Sequence, residues 1–424
     1  MRRAIASNAL CALMACAGCL ALAWLGLYGY AWNDYDNEAR PAVEALLAGH
    51  LSSFLALAPA YGGSLLERAP FAFLPALWGG GSLSVYRLLS LPCLLASAAL
   101  AVWLLAGMRA QGRSRLARAV ALAVCVANPV TLRALEIGHP EELLGACLCV
   151  VAVLAAARGH GLAAAVLLGL AIANKEWAVL AAGPVALSLP RGRRLTCLLL
   201  AGGVAAAILA PFVLSGSSGF ASSTRAVASS SSAIFQPWQV WWFLGHHGPL
   251  VHGLFGEPKL GYRTPPAWVG QLSHPIVILA GAALTAALAL RRRGAALSEQ
   301  DALLALALLM LARCLLDSWD AVYYALPFLI ALLAWEVGRP ARQPPILALG
   351  ASALTWASFT WLPEHASADL TCALFLAWTL PLAGLLALRL YAPARAGTEA
   401  RLRPGARVAQ EMTVSSLESF VSTS

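Results

Sequence analysis

Long apolar runs, separated by short polar segments, recur along most of the chain. A helix needs about 20 apolar residues to cross the hydrocarbon core of a membrane. Runs of this kind predict membrane-spanning helices over residues 9–31, 84–107, 117–134, 142–157, 195–214, 274–290, 301–317, 320–337, 345–361 and 369–390. The stretch 161–189 holds two shorter runs broken at Asn174-Lys175-Glu176, and it predicts two short helices or a re-entrant pair. The expected fold is therefore all-α and polytopic, with about 10–12 transmembrane helices.

The composition supports the same class of protein. Hydrophobic residues make up 60% of the chain and charged residues 12%, about half of the roughly 25% found in soluble domains. This balance excludes a soluble globular enzyme, a disordered protein and a disulfide-linked secreted scaffold. The net charge of +9 comes from basic residues that fall mostly on one side of the predicted spans. It is a topology signal and argues against a nucleic-acid partner.

The distribution of charge also predicts the orientation. The positive-inside rule places the N-terminus in the cytoplasm. The 27 arginines against 2 lysines indicate the coding bias of a GC-rich bacterium, so the expected location is a bacterial plasma membrane. Residues 1–391 then form one transmembrane domain with outer loops at 32–83, which is rich in acids, and at 215–273. Residues 392–424 are polar and predict a disordered cytoplasmic tail. The polar clusters fall on the outer side, which predicts an outward-facing active-site cavity.

Three carboxylates follow the first predicted helix within five residues: Asp34, Asp36 and Glu38. A carboxylate at a membrane surface can deprotonate an acceptor hydroxyl, or bind a divalent metal together with a second acid. The alternative is a solvated acidic cap at the end of the helix.

A second cluster, His139 with Glu141 and Glu142, lies at an outer turn between two predicted helices. The histidine beside the two acids would allow a hydrogen-bond network or a proton relay. The alternative is that both acids open a helix and interact with its dipole.

Two cations stand out against apolar surroundings. Lys175 interrupts apolar sequence on both sides and could hold a phosphate as a point charge. The alternative is a snorkelling lysine paired with Glu176. Arg68 follows the pair Gly62-Gly63 and could bind a phosphate bidentately, although a plain surface loop is the simpler interpretation.

Two further groups carry candidate substrate contacts. Asp317, Asp320 and Tyr323 lie at an outer turn, where Asp317 could instead pair with Arg313 one helical turn earlier.

His246 and His247 follow a tryptophan-rich stretch. This stretch is either a platform for a lipid chain or a sugar ring, or an ordinary aromatic belt at the membrane interface. The sequence contains no phosphate-binding loop, dinucleotide fingerprint or HExxH zinc motif.

Four segments in order carry a resemblance to a known family. They are Asp34-Tyr35-Asp36-Asn37-Glu38, Gly138-His139-Pro140-Glu141-Glu142, Gly169-Leu170-Ala171-Ile172-Ala173-Asn174-Lys175, and the stretch 316–327 around Asp317 and Asp320. In this arrangement the chain resembles GT-C glycosyltransferases, and among them the family 87 mannosyltransferases that use polyprenyl-phosphate-mannose.

The resemblance implies a function and roles for residues. It implies transfer of a sugar, mannose in the family, from a polyprenyl-phosphate donor to an envelope lipid or glycan acceptor on the outer face. It also implies that Asp34 or Asp36 is the general base, and that Lys175, Arg68 or a loop histidine neutralises the donor phosphate. The lipid donor is a co-substrate. The resemblance leaves open whether a divalent metal takes part in the reaction.

Two other classes remain. A transporter or flippase for a lipid-linked sugar would place ionisable residues near the middle of the membrane, between inverted repeats. A non-catalytic scaffold of the cell envelope would tolerate replacement of the outer carboxylates.

Overall fold

The computed structural model describes residues 2–27, 34–215, 220–222, 224–225, 235–248, 250–252, 258–339 and 343–391. It divides into two units, Met1–Leu386 and Ala387–Ser424. The first unit holds almost all of the described helices, and residues 387–391 of the second unit end the last one. The predicted tail at 392–424 and the predicted end of the first span at 28–31 lie outside the described residues.

The described part of the chain is almost entirely helical, which confirms the predicted all-α polytopic class. Its α-helices are α1 (Arg2–Leu27), α2 (Arg40–Leu47), α3 (Leu51–Leu57), α4 (Gly62–Ala72), α5 (Ser82–Ala110), α6 (Arg115–Val126), α7 (Pro129–Ile137), α8 (Glu141–Ala157), α9 (Gly161–Asn174), α10 (Ala182–Ser188), α11 (Arg191–Leu214), α12 (Ala267–Arg291), α13 (Glu299–Leu316), α14 (Leu326–Gly338), α15 (Ile346–Trp356), α16 (Leu362–His365) and α17 (Ala368–Tyr391).

Short helical turns and two short strands lie between the α-helices. Those of 3-10 type span Leu74–Trp78, Glu176–Ala181, Trp242–Leu244 and Val322–Ala325, and π-helical turns span Tyr35–Ala39 and Ala357–Trp361. Two short strands, β1 (Val251–His252) and β2 (Pro258–Lys259), pair antiparallel within the predicted outer loop 215–273.

Six of the described helical segments are long and apolar enough to cross a membrane. They are Ser82–Ala110, Arg115–Ile137, Arg191–Leu214, Ala267–Arg291, Ile346–His365 and Ala368–Tyr391. The second of these joins α6 to α7 across a break at Asn128, whose side chain caps α7 before Pro129. The multi-pass character is therefore a property of the described structure.

The predicted break inside 161–189 is present. The backbone of Lys175 is extended, with φ −153° and ψ 132°, so α9 ends at Asn174 and a 3-10 turn begins at Glu176. The stretch therefore contains short helical elements on both sides of the break, Gly161–Asn174 before it and Glu176–Ala181 and Ala182–Ser188 after it. This backbone change turns the Lys175 side chain away from the axis of α9.

The region 32–83 contains more helix than the sequence suggested. The predicted amphipathic stretch from Ala39 to Leu57 is two helices, α2 and α3, separated by Gly49 at φ 78°. The expectation of a plain surface loop around Gly62-Gly63 is wrong, because these glycines open the buried helix α4. A Cβ on Gly63 would lie 2.1 Å from the carbonyl oxygen of Ala173, so only glycine lets α4 approach α9 this closely.

The helices differ in how much of their surface the protein covers. α8 packs against α5, α9 and α14, and α13 packs against α14. Every residue of α14 but its last is buried. By contrast, few residues of α11 and α12 are buried, and Leu195 and Leu290 are 67% and 79% exposed. Exposed leucines on long apolar helices are the surface that a bilayer would cover.

Candidate active site

A chain of hydrogen bonds links Asp34, His139 and Glu141 at one end of the helices. The His139 ring lies 3.2 Å from Asp34 through Nε2 and Oδ2, and 2.7 Å from Glu141 through Nδ1 and Oε1. Because ionised carboxylates only accept hydrogen bonds, an imidazolium that donates from both nitrogens satisfies both contacts. The ring and the Glu141 carboxylate are buried, whereas the Asp34 side chain is 28% exposed.

The electrostatics of His139 agree with a charged ring. Burial lowers its pKa, but the Glu141 charge and the hydrogen bonds that the ring donates to both carboxylates outweigh burial and raise the pKa to about 9. The ring is therefore charged at neutral pH.

The turn that presents His139 depends on a close backbone approach. α7 ends at Gly138, which has φ 113° and so favours glycine. A Cβ at Gly138 would lie 2.5 Å from the backbone nitrogen of Tyr35. The missing side chain therefore lets the 138–140 turn touch the segment that carries Asp34.

Glu141 is the acceptor for three cationic groups. Besides His139, its carboxylate lies 3.2 Å from Nζ of Lys175 and 3.4 Å from Nη2 of Arg68. Lys175 also lies 3.5 Å from Glu142, so it pairs with these two acids and not with Glu176 as the snorkelling alternative expected. The acids at the start of α8 thus hold cations from α4 and from the break after α9.

Glu142 joins the network to a second cation. Its Oε2 lies 3.8 Å from Nη1 of Arg313, which belongs to the last turn of α13. The Arg313 guanidinium also stacks over Trp177 and Tyr324, at 5.1 and 4.1 Å from the ring centroids. Neither Glu142 oxygen has a hydrogen-bond partner within the described part of the chain, so ion pairs alone balance its charge.

Polar and aromatic contacts fix the positions of the charged groups. Asn174 accepts a hydrogen bond from Ser64 at 2.7 Å and donates to the backbone carbonyl of Glu141 at 2.9 Å. This bridge ties α4, α8 and α9 together beside the charges. This bridge was not predictable from the sequence, because a single buried Asn at a helix end has many possible partners.

Two tyrosines line the edge of the network. Tyr61 donates to Glu38 at 2.8 Å, and its ring lies 4.2 Å from Nζ of Lys175. The ring of Tyr323 lies 4.3 Å from that of His139. Glu38 and Tyr323 were both expected here.

Asp317 and Asp320 lie beside the network, beyond Arg313. Asp317 pairs with His274 of α12 at 3.1 Å, so the pair with Arg313 on one helix face does not form. α13 ends at Leu316, and the extended backbone of Asp317 turns its side chain away from that helix face. Asp320 is buried, and its Oδ1 has no hydrogen-bond partner within the described part of the chain.

Three of the predicted residues lie elsewhere. Asp36 pairs with Arg40 at 3.3 Å on the surface. The backbone of His246 pairs with Thr264, and His247 lies 3.5 Å from Asp369, which also binds Arg263. The structure therefore brings Asp34, Glu38, Arg68, His139, Glu141, Glu142, Lys175 and Tyr323 together, places Asp317 and Asp320 next to them, and leaves Asp36, His246 and His247 outside.

The described residues do not favour a metal site. No group of three or more His, Cys, Asp or Glu side chains among them could hold a metal ion. The carboxylates of Glu141 and Glu142 are paired with cationic side chains.

The comparison with known protein families points to one class of enzyme. The family model described as glycosyltransferase family 87 matches residues 62–318, which is more than half of the chain. The match covers Arg68, the 138–142 turn, Lys175 and Asp317, and it begins after Asp34. No curated protein matches the chain.

Proposed function

Since the chain belongs to glycosyltransferase family 87 and is a multi-pass membrane glycosyltransferase, we propose that it transfers a sugar, specifically mannose, from a polyprenyl-phosphate donor to a hydroxyl of an envelope lipid or glycan. The proposed site is the network around Glu141, on the outer face of a bacterial plasma membrane. The observation that carries the proposal is a partly exposed carboxylate, Asp34, at the edge of a buried group of cations.

Asp34 is the proposed general base. In the reaction, the acceptor oxygen attacks the anomeric carbon, the bond from that carbon to the phosphate oxygen breaks, and the hydroxyl proton passes to Asp34. Its exposure of 28% allows an acceptor to reach it, and the hydrogen bond from His139 fixes one of its oxygens. Asp36 is the weaker candidate, because its carboxylate pairs with Arg40 on the surface.

The cations are proposed to stabilise the leaving polyprenyl phosphate. Lys175, Arg68 and the charged His139 surround the Glu141 carboxylate, with Arg313 beside Glu142. Fixed positive groups in a site that excludes water stabilise developing negative charge more strongly than the same groups in water. Glu141 keeps these like charges together before the donor binds. It is a positioning residue in this scheme.

The experiment is a transfer assay with the full chain in proteoliposomes. It uses radiolabelled polyprenyl-phosphate-mannose and a crude pool of envelope lipids. We expect the parent and Asp36→Asn to form a labelled product, and Asp34→Asn to lose activity by about two to four orders of magnitude, the usual contribution of a general base. Full activity of Asp34→Asn would refute the assignment of the base.

The same assay separates the other classes. Donor that crosses the bilayer chemically unchanged would favour a flippase. If the parent transfers no label from this donor or from polyprenyl-phosphate-glucose, the proposed donor class is wrong.

A further inference from the structure

We propose that six arginines at the far ends of α11 and α12 form a binding site for the phosphate groups of anionic phospholipids. They come from two loop regions that are distant in sequence, each of which includes the adjoining end of a helix with exposed apolar side chains. The set is Arg191, Arg193 and Arg194 at the start of α11, and Arg291, Arg292 and Arg293 at the end of α12. None of them belongs to the proposed active site.

Direct hydrogen bonds hold the two loops together. Arg191 donates to the backbone carbonyl of Arg293 at 2.9 Å, and Arg194 donates to that of Gly294 at 3.2 Å. The loops also meet through the backbone, where Leu297 donates to Leu187 at 2.9 Å. The positive-inside rule accounts for arginine in each loop, but it does not require the loops to interlock.

The turn at Arg293 has a backbone conformation that is unusual for a residue with a side chain. Its φ is 47°, the left-handed region, and it is the one non-glycine residue with positive φ in the described part of the chain. A side chain disfavours this conformation, which persists only where the surroundings enforce it. Here the bond from Arg191 to the Arg293 carbonyl supplies part of that constraint.

The positive charge of the set is almost uncompensated. Arg292 pairs with Asp301 at 2.8 Å, and the other five arginines make no salt bridge to the residues that the structure describes. The nearby Glu299 is occupied by Arg158 at 3.0 Å. Guanidinium groups that are exposed and lack acidic partners are suited to bidentate binding of phosphate oxygens.

The apolar neighbours identify the source of the phosphate. Leu195 follows Arg194 directly and is 67% exposed, and Leu290 precedes Arg291 and is 79% exposed. Such leucines mark the lipid-covered surface, so the arginines lie where that surface ends. Phospholipid headgroups occupy this level of a bilayer, and basic pockets between transmembrane helices recognise lipids with several phosphates. A soluble polyanion would not need the exposed leucines.

The test compares two double variants of the full chain in detergent. Arg193→Gln with Arg291→Gln removes two exposed charges that make no hydrogen bond within the described structure. Arg115→Gln with Arg118→Gln is the matched control, because it removes two charges from the first turn of α6, on the same predicted side. The probes are cardiolipin and phosphatidylcholine, and the measurement is the dissociation constant by fluorescence titration at two salt concentrations.

We expect the parent and the control to bind cardiolipin more tightly than phosphatidylcholine, with an affinity that falls as salt rises. The Arg193/Arg291 variant should bind cardiolipin about 25-fold more weakly, from about 1 kcal/mol for each basic residue near an anionic surface and a factor of ten for each 1.4 kcal/mol. An equal loss in the control would show a general charge effect and overturn the proposal. So would equal affinity for the two lipids.

Discussion

The charge on His139 should contribute to stability in a way that depends on pH. The ring bridges Asp34 and Glu141, and these contacts raise its pKa from the usual 6.5 to about 9. At about 1.4 kcal/mol for each pH unit, that rise corresponds to about 3 kcal/mol of folding free energy. The perturbation is His139→Gln, which keeps a hydrogen-bond donor but cannot take up a proton.

The sign of the pH dependence of stability follows from which state, folded or unfolded, binds the His139 proton more tightly. The folded protein holds the His139 proton more tightly than the unfolded chain, so the stabilisation is fully present below pH 6.5. It declines as the pH rises through the folded pKa, and it is gone above about 9. The stability advantage of the parent over His139→Gln should therefore shrink by about 3 kcal/mol across this window.

The assay is reversible unfolding of the full chain in mixed micelles, or the unfolding temperature where unfolding is irreversible, from pH 6 to about 10. Glu67 titrates in the same range, because burial raises its pKa to about 8. It does so in both proteins, so only the difference between them belongs to His139. The exposed His160→Gln serves as the control. A constant difference between the parent and His139→Gln at all pH values would refute a charged ring in the network.

Two further predictions concern the packing around the network. Glu141→Gln should destabilise the protein by about 3–5 kcal/mol, since it leaves buried cations with one acceptor fewer. Adding Lys175→Met should recover part of the loss, and strictly additive changes in the free energy of unfolding would contradict the ion pair. Gly63→Ala should lower stability by about 1–3 kcal/mol, since its Cβ would overlap a backbone oxygen of α9. The control is Gly107→Ala, which has open space around it. It should be neutral or stabilising by up to about 1 kcal/mol in the same measurement.

The fold was largely predictable because a helix that spans a membrane needs about 20 apolar residues. Apolar length alone located most of the long helices, and the polar break at Lys175 located the interruption after α9. The helices of region 32–83 were harder to predict. They are short, and the burial of Arg68 and the closeness of Gly63 to α9 depend on contacts distant in sequence.

The candidate site was predictable as a set of residues but not as a set of pairs. An ionisable side chain within apolar sequence indicates that a partner exists, but does not identify it. Lys175 has a carboxylate next to it in sequence, yet it pairs with Glu141 and Glu142 across the α8–α9 contact. Asp317 likewise pairs with His274 of α12 and not with Arg313. Which acid meets which cation is decided by helix packing, which periodicity does not encode.

The network lies where helices stop. Asp34 precedes the π-helical turn at Tyr35, His139 follows the glycine that ends α7, Lys175 occupies the extended break after α9, and Asp317 follows the last turn of α13. In lipid, a backbone that leaves the helix must find its hydrogen bonds inside the protein, so such breaks are tolerated where helices surround them. The same places let side chains leave a helix face and converge. Breaks in apolar sequence that carry a charge should therefore locate the active sites of such enzymes better than the charges alone.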